Sequence, residues 1–130
     1  MAGSERLRLI PLVILGDDAS RKFVHASLTG KWAIREVLML VDTGAQKTVI
    51  DEVLAKELAV KYEQDVQLAG ITSTVRTWMG RLPRLRLGTE EISNLQVVVS
   101  PRPGRLLLGM DVLERLALSV TPRSLQRASL

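Results

Sequence analysis

Val41-Asp42-Thr43-Gly44-Ala45 follows directly on the apolar run Val37-Leu38-Met39-Leu40. A short run of this kind reads as a strand, and Thr-Gly is a turn signal that ends it at once. The chain therefore has to carry a hydrophobic strand to its end and present a carboxylate in the tight bend beyond. Only one such segment occurs in the 130 residues. With no cysteine, disulfides, thiolate metal sites and a cysteine nucleophile are all excluded. A single histidine, His25, excludes a multi-histidine zinc site. No metal or other cofactor is expected, and the fold has to rest on packing alone.

The material for that packing is present. Hydrophobic residues make up 46% of the chain but aromatics only 3%, so the core should be built from Leu, Val and Ile. The net charge of +4 raises the question of nucleic acid. Arg81, Arg84 and Arg86 are interleaved with leucines at strand spacing, the pattern of a solvated strand face, and no nucleic-acid partner is expected. No stretch approaches the roughly 18 apolar residues of a membrane span. Residues 9–15 are apolar but short, contain Pro11 and lack a small-residue cleavage site, which favours an edge or interface strand over a signal peptide. No stable membrane insertion is expected, and a cytoplasmic location is the default.

Along the chain, residues 7–15 read as a first strand, and 23–28 with 34–41 as a hairpin around Thr29-Gly30-Lys31. Thr48-Val49-Ile50 fits a short strand. Asp51 resembles an N-cap for a helix reaching Leu58, with Glu52 and Lys56 four apart. Residues 66–87 are strand-like, with the small residues 69–73 as a hairpin tip, and 95–99 read as another strand. Asp111 and Glu114 have capping-box spacing for a second short helix through Leu116. The sum is mostly β in a single domain at 7–120, with 1–6 and 121–130 as terminal extensions, the second of them polar, for which disorder is the expectation.

Two motifs then carry a resemblance. Leu40-Val41-Asp42-Thr43-Gly44-Ala45, continuing into Gln46-Lys47-Thr48-Val49-Ile50, is followed well downstream by Leu107-Leu108-Gly109-Met110-Asp111-Val112-Leu113. In this combination the chain resembles a retroviral-type (retropepsin-like) aspartic peptidase of the single-domain bacterial style. The resemblance implies a mostly β acid-protease barrel with one or two short helices, assembled as a two-fold homodimer. It implies an aspartic endopeptidase acting on a polypeptide substrate, with Asp42 supplied by each subunit. Two carboxyls that close cannot both ionise, so they share one proton. The ionised member activates a water for attack on the peptide carbonyl, and the protonated member bonds the carbonyl oxygen.

By the same resemblance Thr43 bonds across the two-fold axis, and Gly44 lacks the Cβ that would crowd the turn. Ala45 is small for the same space and belongs to the substrate-binding set. The hairpin tip becomes a flap over substrate, with Ala69, Gly70, Ile71 and Thr72 as its binding residues, and Val49, Ile50, Ile71 and Met79 line apolar specificity pockets. The apolar N-terminal run is the candidate for part of the dimer interface.

Other residues read as structural. Asp111 lacks a following Thr/Ser-Gly and is better taken as a helix cap than as a second catalytic carboxylate. His25 has no triad neighbours. Trp32 and Trp78 read as core or interface anchors, and Met39, Met79 and Met110 as core. The alternative reading of the whole is a catalytically silent retropepsin-like module for dimerisation or peptide binding. The intact Asp42-Thr43-Gly44 favours the enzyme.

Overall fold

The computed structural model describes residues 6–69 and 74–129. In chain order these form β1 (Arg6–Pro11), β2 (Val13–Ile14), β3 (Lys22–Thr29), β4 (Ile34–Val41), β5 (Val49–Asp51), α1 (Glu52–Glu57), β6 (Lys61–Ala69), β7 (Thr74–Leu87), β8 (Glu90–Ser100), β9 (Leu107–Leu108), α2 (Met110–Arg115), β10 (Ser119–Val120) and β11 (Ser124–Ser129). The fold is mostly β with two short helices, in one domain.

Eight strands make the main sheet in the order β2-β3-β4-β9-β5-β8-β7-β6. A further pairing of β3 with β7, from Ser27↔Arg86 to Thr29↔Arg84, joins the sheet into a ring. β7 makes that ring possible because it is long and alternates. Leu82, Leu85 and Leu87 are buried inside while Arg84 and Arg86 face solvent, which is the solvated arginine face read from the sequence. The fully buried large side chains are Leu, Ile and Val with Met39, and no aromatic is among them. Trp78 packs against the outside of this core and tilts against Tyr62, with ring centroids 5.8 Å apart. Trp32 is outside the core, one of the two places read for it: it is 79% exposed in the β3–β4 turn, with the Lys31 ammonium 5.0 Å over its ring.

The apolar N-terminal run is split between sheets. β1 pairs antiparallel with β11, from Arg6↔Ser129 to Pro11↔Ser124, and β2 pairs with β3. The break falls at Leu12, whose N–H donates to the Arg123 carbonyl at 2.9 Å. Residues 124–129, assigned from sequence to a polar extension, form the central strand of a β1-β11-β10 sheet. That sheet is fastened to the main body by fully buried Leu125, by Ile10 at 6% exposure and by the Arg127–Glu90 ion pair, whose carboxylate is buried.

Both helices are short and rely on their ends. Asp51 is the N-cap of α1, its Oδ1 accepting from the Leu54 N–H at 2.8 Å. Its Oδ2 accepts from the Gly104 N–H at 2.7 Å, tying the loop before β9 to the same residue. Each helix closes on an alanine with positive φ, Ala59 at 50° and Ala117 at 52°. The left-handed region strains a residue that carries a Cβ. Asp51→Ala should therefore lower unfolding free energy by about 1–2 kcal/mol, and Ala59→Gly should raise it by about 0.5–1 kcal/mol. Urea denaturation of the two variants beside the wild type checks both signs.

Candidate active site

β4 delivers Asp42 along a path fixed by the other motif. The Leu40 N–H donates to the Leu106 carbonyl at 2.9 Å, and the Asp42 N–H donates to the Leu108 carbonyl at 3.0 Å. β9 thus runs parallel to β4 and, on its other side, meets β5. The chain then bends: the Ala45 N–H donates to the Asp42 carbonyl at 3.1 Å, and the Gly44 N–H donates to Asp42 Oδ1 at 2.9 Å. The second bond fixes the carboxylate within the turn. A Cβ on Gly44 would lie 3.2 Å from that same oxygen, tighter than ordinary contact. Asp42 is half-buried, whereas Thr43 and Gly44 are exposed beside it.

The remainder of the loop is clamped from below. The Met110 N–H donates to the Ala45 carbonyl at 2.8 Å and the Asp111 N–H to the Gln46 carbonyl at 3.2 Å. Thr48, fully buried, donates its N–H to Asp111 Oδ2 at 3.1 Å and its hydroxyl to Asp111 Oδ1 at 2.8 Å. The Gly109 N–H in turn donates to the Thr48 hydroxyl at 3.1 Å. Asp111 is therefore not the cap read from the sequence. The N-cap of α2 is Gly109, which makes no side-chain cap bond. Asp111 sits in the first turn and uses both oxygens on Thr48, a structural role by a different contact. Gly109 is required by proximity, since a Cβ there would meet the Lys47 carbonyl carbon at 2.6 Å and its oxygen at 2.7 Å.

Beside the loop lies an apolar hollow of 410 Å³, walled by Ala45, Gln46 and Lys47 of the loop, Val49 of β5, Val98 of β8, and Val66 and Met79 of the β6–β7 hairpin. Ala45, Val49 and Met79 were named from the sequence, and here they line one space with the Asp42 turn. Met79 is half-buried at the wall of that hollow, so it is not the core methionine first read. Ile50 departs in the other direction: it is fully enclosed in the core and has no surface on the hollow, because β5 alternates and Val49 takes the outward face. Ala69 ends β6, paired with Thr74. Gly70, Ile71 and Thr72 lie outside the described residues.

From the sequence Lys47, Thr48 and Gly109 are members of the two motifs with no role of their own, and Val66 and Val98 are strand residues only. Thr48 had one readable signal, a β-branched hydroxyl residue in the first motif with an aspartate waiting in the second. The hairpin that contributes Val66 and Met79 is braced at its base by Glu63, which accepts from Arg81 Nε at 3.0 and 2.9 Å. The Arg81 bond holds the Glu63 carboxyl below its ordinary range. Among the described residues no group of His, Cys, Asp or Glu is placed to hold a metal ion, and no helix is long and apolar enough to cross a membrane.

This ring, with the loop and β9 crossing beside it, is the retropepsin-like aspartic protease fold. Residues 28–115 match the family described as "gag-polyprotein putative aspartyl protease", and the chain belongs to that family. Two solved structures share the architecture. A retropepsin-like aspartic protease from Rickettsia conorii superposes with a TM-score of 0.68 at 20% identity, covering 97% of this chain and 96% of that one. The EIAV protease complexed with the inhibitor HBY-793 gives 0.64 at 18% identity, covering 83% and 99% respectively. No curated protein sequence matches.

The clamp makes a testable demand on two residues. Gly109→Ala should destabilise the fold by about 2–3 kcal/mol, because the obstruction is backbone. Thr48→Val should cost about 1–3 kcal/mol by leaving the Gly109 N–H and the Asp111 carboxylate short of partners. Thermal and urea unfolding of both variants checks this, and a neutral Thr48→Val would remove the clamp from the account.

Proposed function

We propose that the protein is an aspartic endopeptidase whose active site forms between two copies of the chain, each contributing Asp42. The observation that carries the reading is the Asp42 turn itself. A half-buried carboxylate held by the Gly44 N–H at 2.9 Å opens beside an apolar hollow large enough for a substrate side chain. One chain supplies only one such turn, so the second carboxylate comes from the partner. Thr43, exposed next to Asp42 and without a hydrogen-bond partner for its hydroxyl among the described residues, is free to bond across the two-fold axis. In this reading the ring of strands acts as the closed barrel of each subunit.

The chemistry follows from the pair. One shared proton leaves an ionised oxygen to accept a proton from water as that water attacks the peptide carbonyl, and a protonated oxygen to bond the carbonyl oxygen as charge develops there. Proton transfer to the amide nitrogen then releases the new amine, and the pair is ready for another water. No covalent enzyme intermediate arises. The β6–β7 hairpin covers bound substrate, and Ala45, Val49 and Met79 hold an apolar side chain. β1 and β11 pair within one chain, so the functional unit is taken to run over 6–129, with each terminal sheet intact in the dimer.

Asp42→Asn should reduce cleavage of a diverse peptide library by a factor on the order of 10²–10⁴ while leaving the fold unchanged. Equal cutting by both proteins would contradict the role of Asp42. Absence of cutting by either, with a stable dimer, would favour a silent peptide-binding module. Because each half-site belongs to one chain, specific activity should also fall on dilution below the dimer dissociation constant. Constant specific activity in a range where sedimentation shows monomer would overturn the shared site.

A further inference from the structure

The hollow beside Asp42 is walled by apolar side chains except where the loop adds Gln46 and Lys47. Lys47 is the one charged side chain among its described lining residues, and it is exposed at the rim. It extends from the same loop that carries Asp42, so whatever fills the hollow lies at a fixed offset from the reacting centre. Its Nζ donates to Gln96 Oε1 at 3.1 Å, a neutral acceptor. Gln96 precedes Val98 by two residues on β8, hence on the same face, and Val98 is part of the hollow wall. The lysine stem therefore lies along the apolar wall and sets its charge at the edge.

Among the described residues that charge has a neutral hydrogen-bond partner and no anionic one. The nearest carboxylate in the hydrogen-bond chain is Glu63, reached through Gln96 Nε2 at 3.2 Å, and both its oxygens are already held by Arg81. Among the described residues no carboxylate forms an ion pair with Lys47. An apolar space with a cation at its edge that makes no ion pair among the described residues is complementary to a side chain having an aliphatic stem and an anionic end.

We propose that Lys47 is a specificity residue, selecting glutamate over glutamine and lysine at the substrate position whose side chain enters the hollow beside Asp42. The proposal rests on the peptidase reading for its catalytic consequence, but the contact itself is a matter of binding. The methylenes of glutamate bury against Val49, Val98 and Met79, and the carboxylate takes the Lys47 ammonium in place of, or beside, the Gln96 carbonyl. The pair sits at a solvated rim, so the discrimination is modest, about three- to five-fold for glutamate over glutamine.

The test uses peptide mixtures of one length that fix Glu, Gln or Lys at one position at a time. Wild type should cut the Glu set about three- to five-fold faster than the Gln set at a single position. Lys47→Met should abolish that difference, and Lys47→Glu should turn the preference toward Lys. Circular dichroism verifies that both variants are folded, as expected for an exposed residue. In parallel, fluorescein-labelled versions of the same mixtures are titrated by anisotropy against Asp42→Asn and the Asp42→Asn/Lys47→Glu double variant, where no cutting interferes. The same reversal of charge preference in binding supports the assignment whether or not the wild type turns over. If nothing is cut yet binding reverses, the peptidase reading fails and the Lys47 contact stands. An identical Glu, Gln and Lys order at every position in wild type and Lys47→Glu, or no binding at all, overturns the contact.

Discussion

The Asp111 carboxylate takes both the N–H and the hydroxyl of Thr48, and on this grip depends the shape of everything that surrounds Asp42. Thr48 is fully buried, so its two donors have no water to turn to, and an aspartate is the side chain that can accept both at once. The same hydroxyl receives the Gly109 N–H, which brings the backbone of the second motif against that of the first. At that distance no side chain fits, and Gly109 is the residue that permits it. The loop from Asp42 to Thr48 thus has little freedom: β4 and β9 hold one end, Thr48 holds the other, and the Ala45 and Gln46 carbonyls are taken by α2. Rigid placement of this sort is what a general acid–base pair needs, because misplacement by a fraction of an ångström costs rate directly.

The loop in turn sets the relation between chemistry and recognition. Asp42 and the rim residue Lys47 belong to one braced segment, and Ala45 between them faces the hollow. The hollow is therefore registered against the Asp42 carboxylate by backbone geometry. The opposite wall is different in kind. Val66 and Met79 come from a two-stranded hairpin whose base is braced by Arg81 and Glu63. One wall is fixed by the Asp42 loop, and the other belongs to the hairpin proposed to cover substrate.

Much of this could be read from the residues because local signals agreed. The apolar run ending at Asp42-Thr43-Gly44, the Thr29-Gly30-Lys31 hairpin and the Asp51 cap of α1 each rest on contacts close in sequence, and each occurs where expected. The departures come from contacts that no short window contains. Residues 124–129 look polar, yet β1 pairs with them along its length and Leu125 is buried beneath. Asp111 satisfied a local capping pattern, but a buried Thr48 from the other motif engages both its oxygens. Ile50 is as apolar as its neighbour Val49 and differs only in which side of a three-residue strand it occupies. Lys47 reaches the rim of the hollow only because β8 and the hairpin stand around it.

Whether two chains share one site is read out by subunit mixing. Wild type and Asp42→Asn are combined at fixed total concentration, dissociated and reassociated, and assayed across the mixing range. If each active centre needs an Asp42 from both chains, activity falls with the square of the wild-type fraction, because mixed pairs contribute nothing. Activity that falls in simple proportion to the wild-type fraction would mean that each chain works alone, and the two-chain account would be wrong.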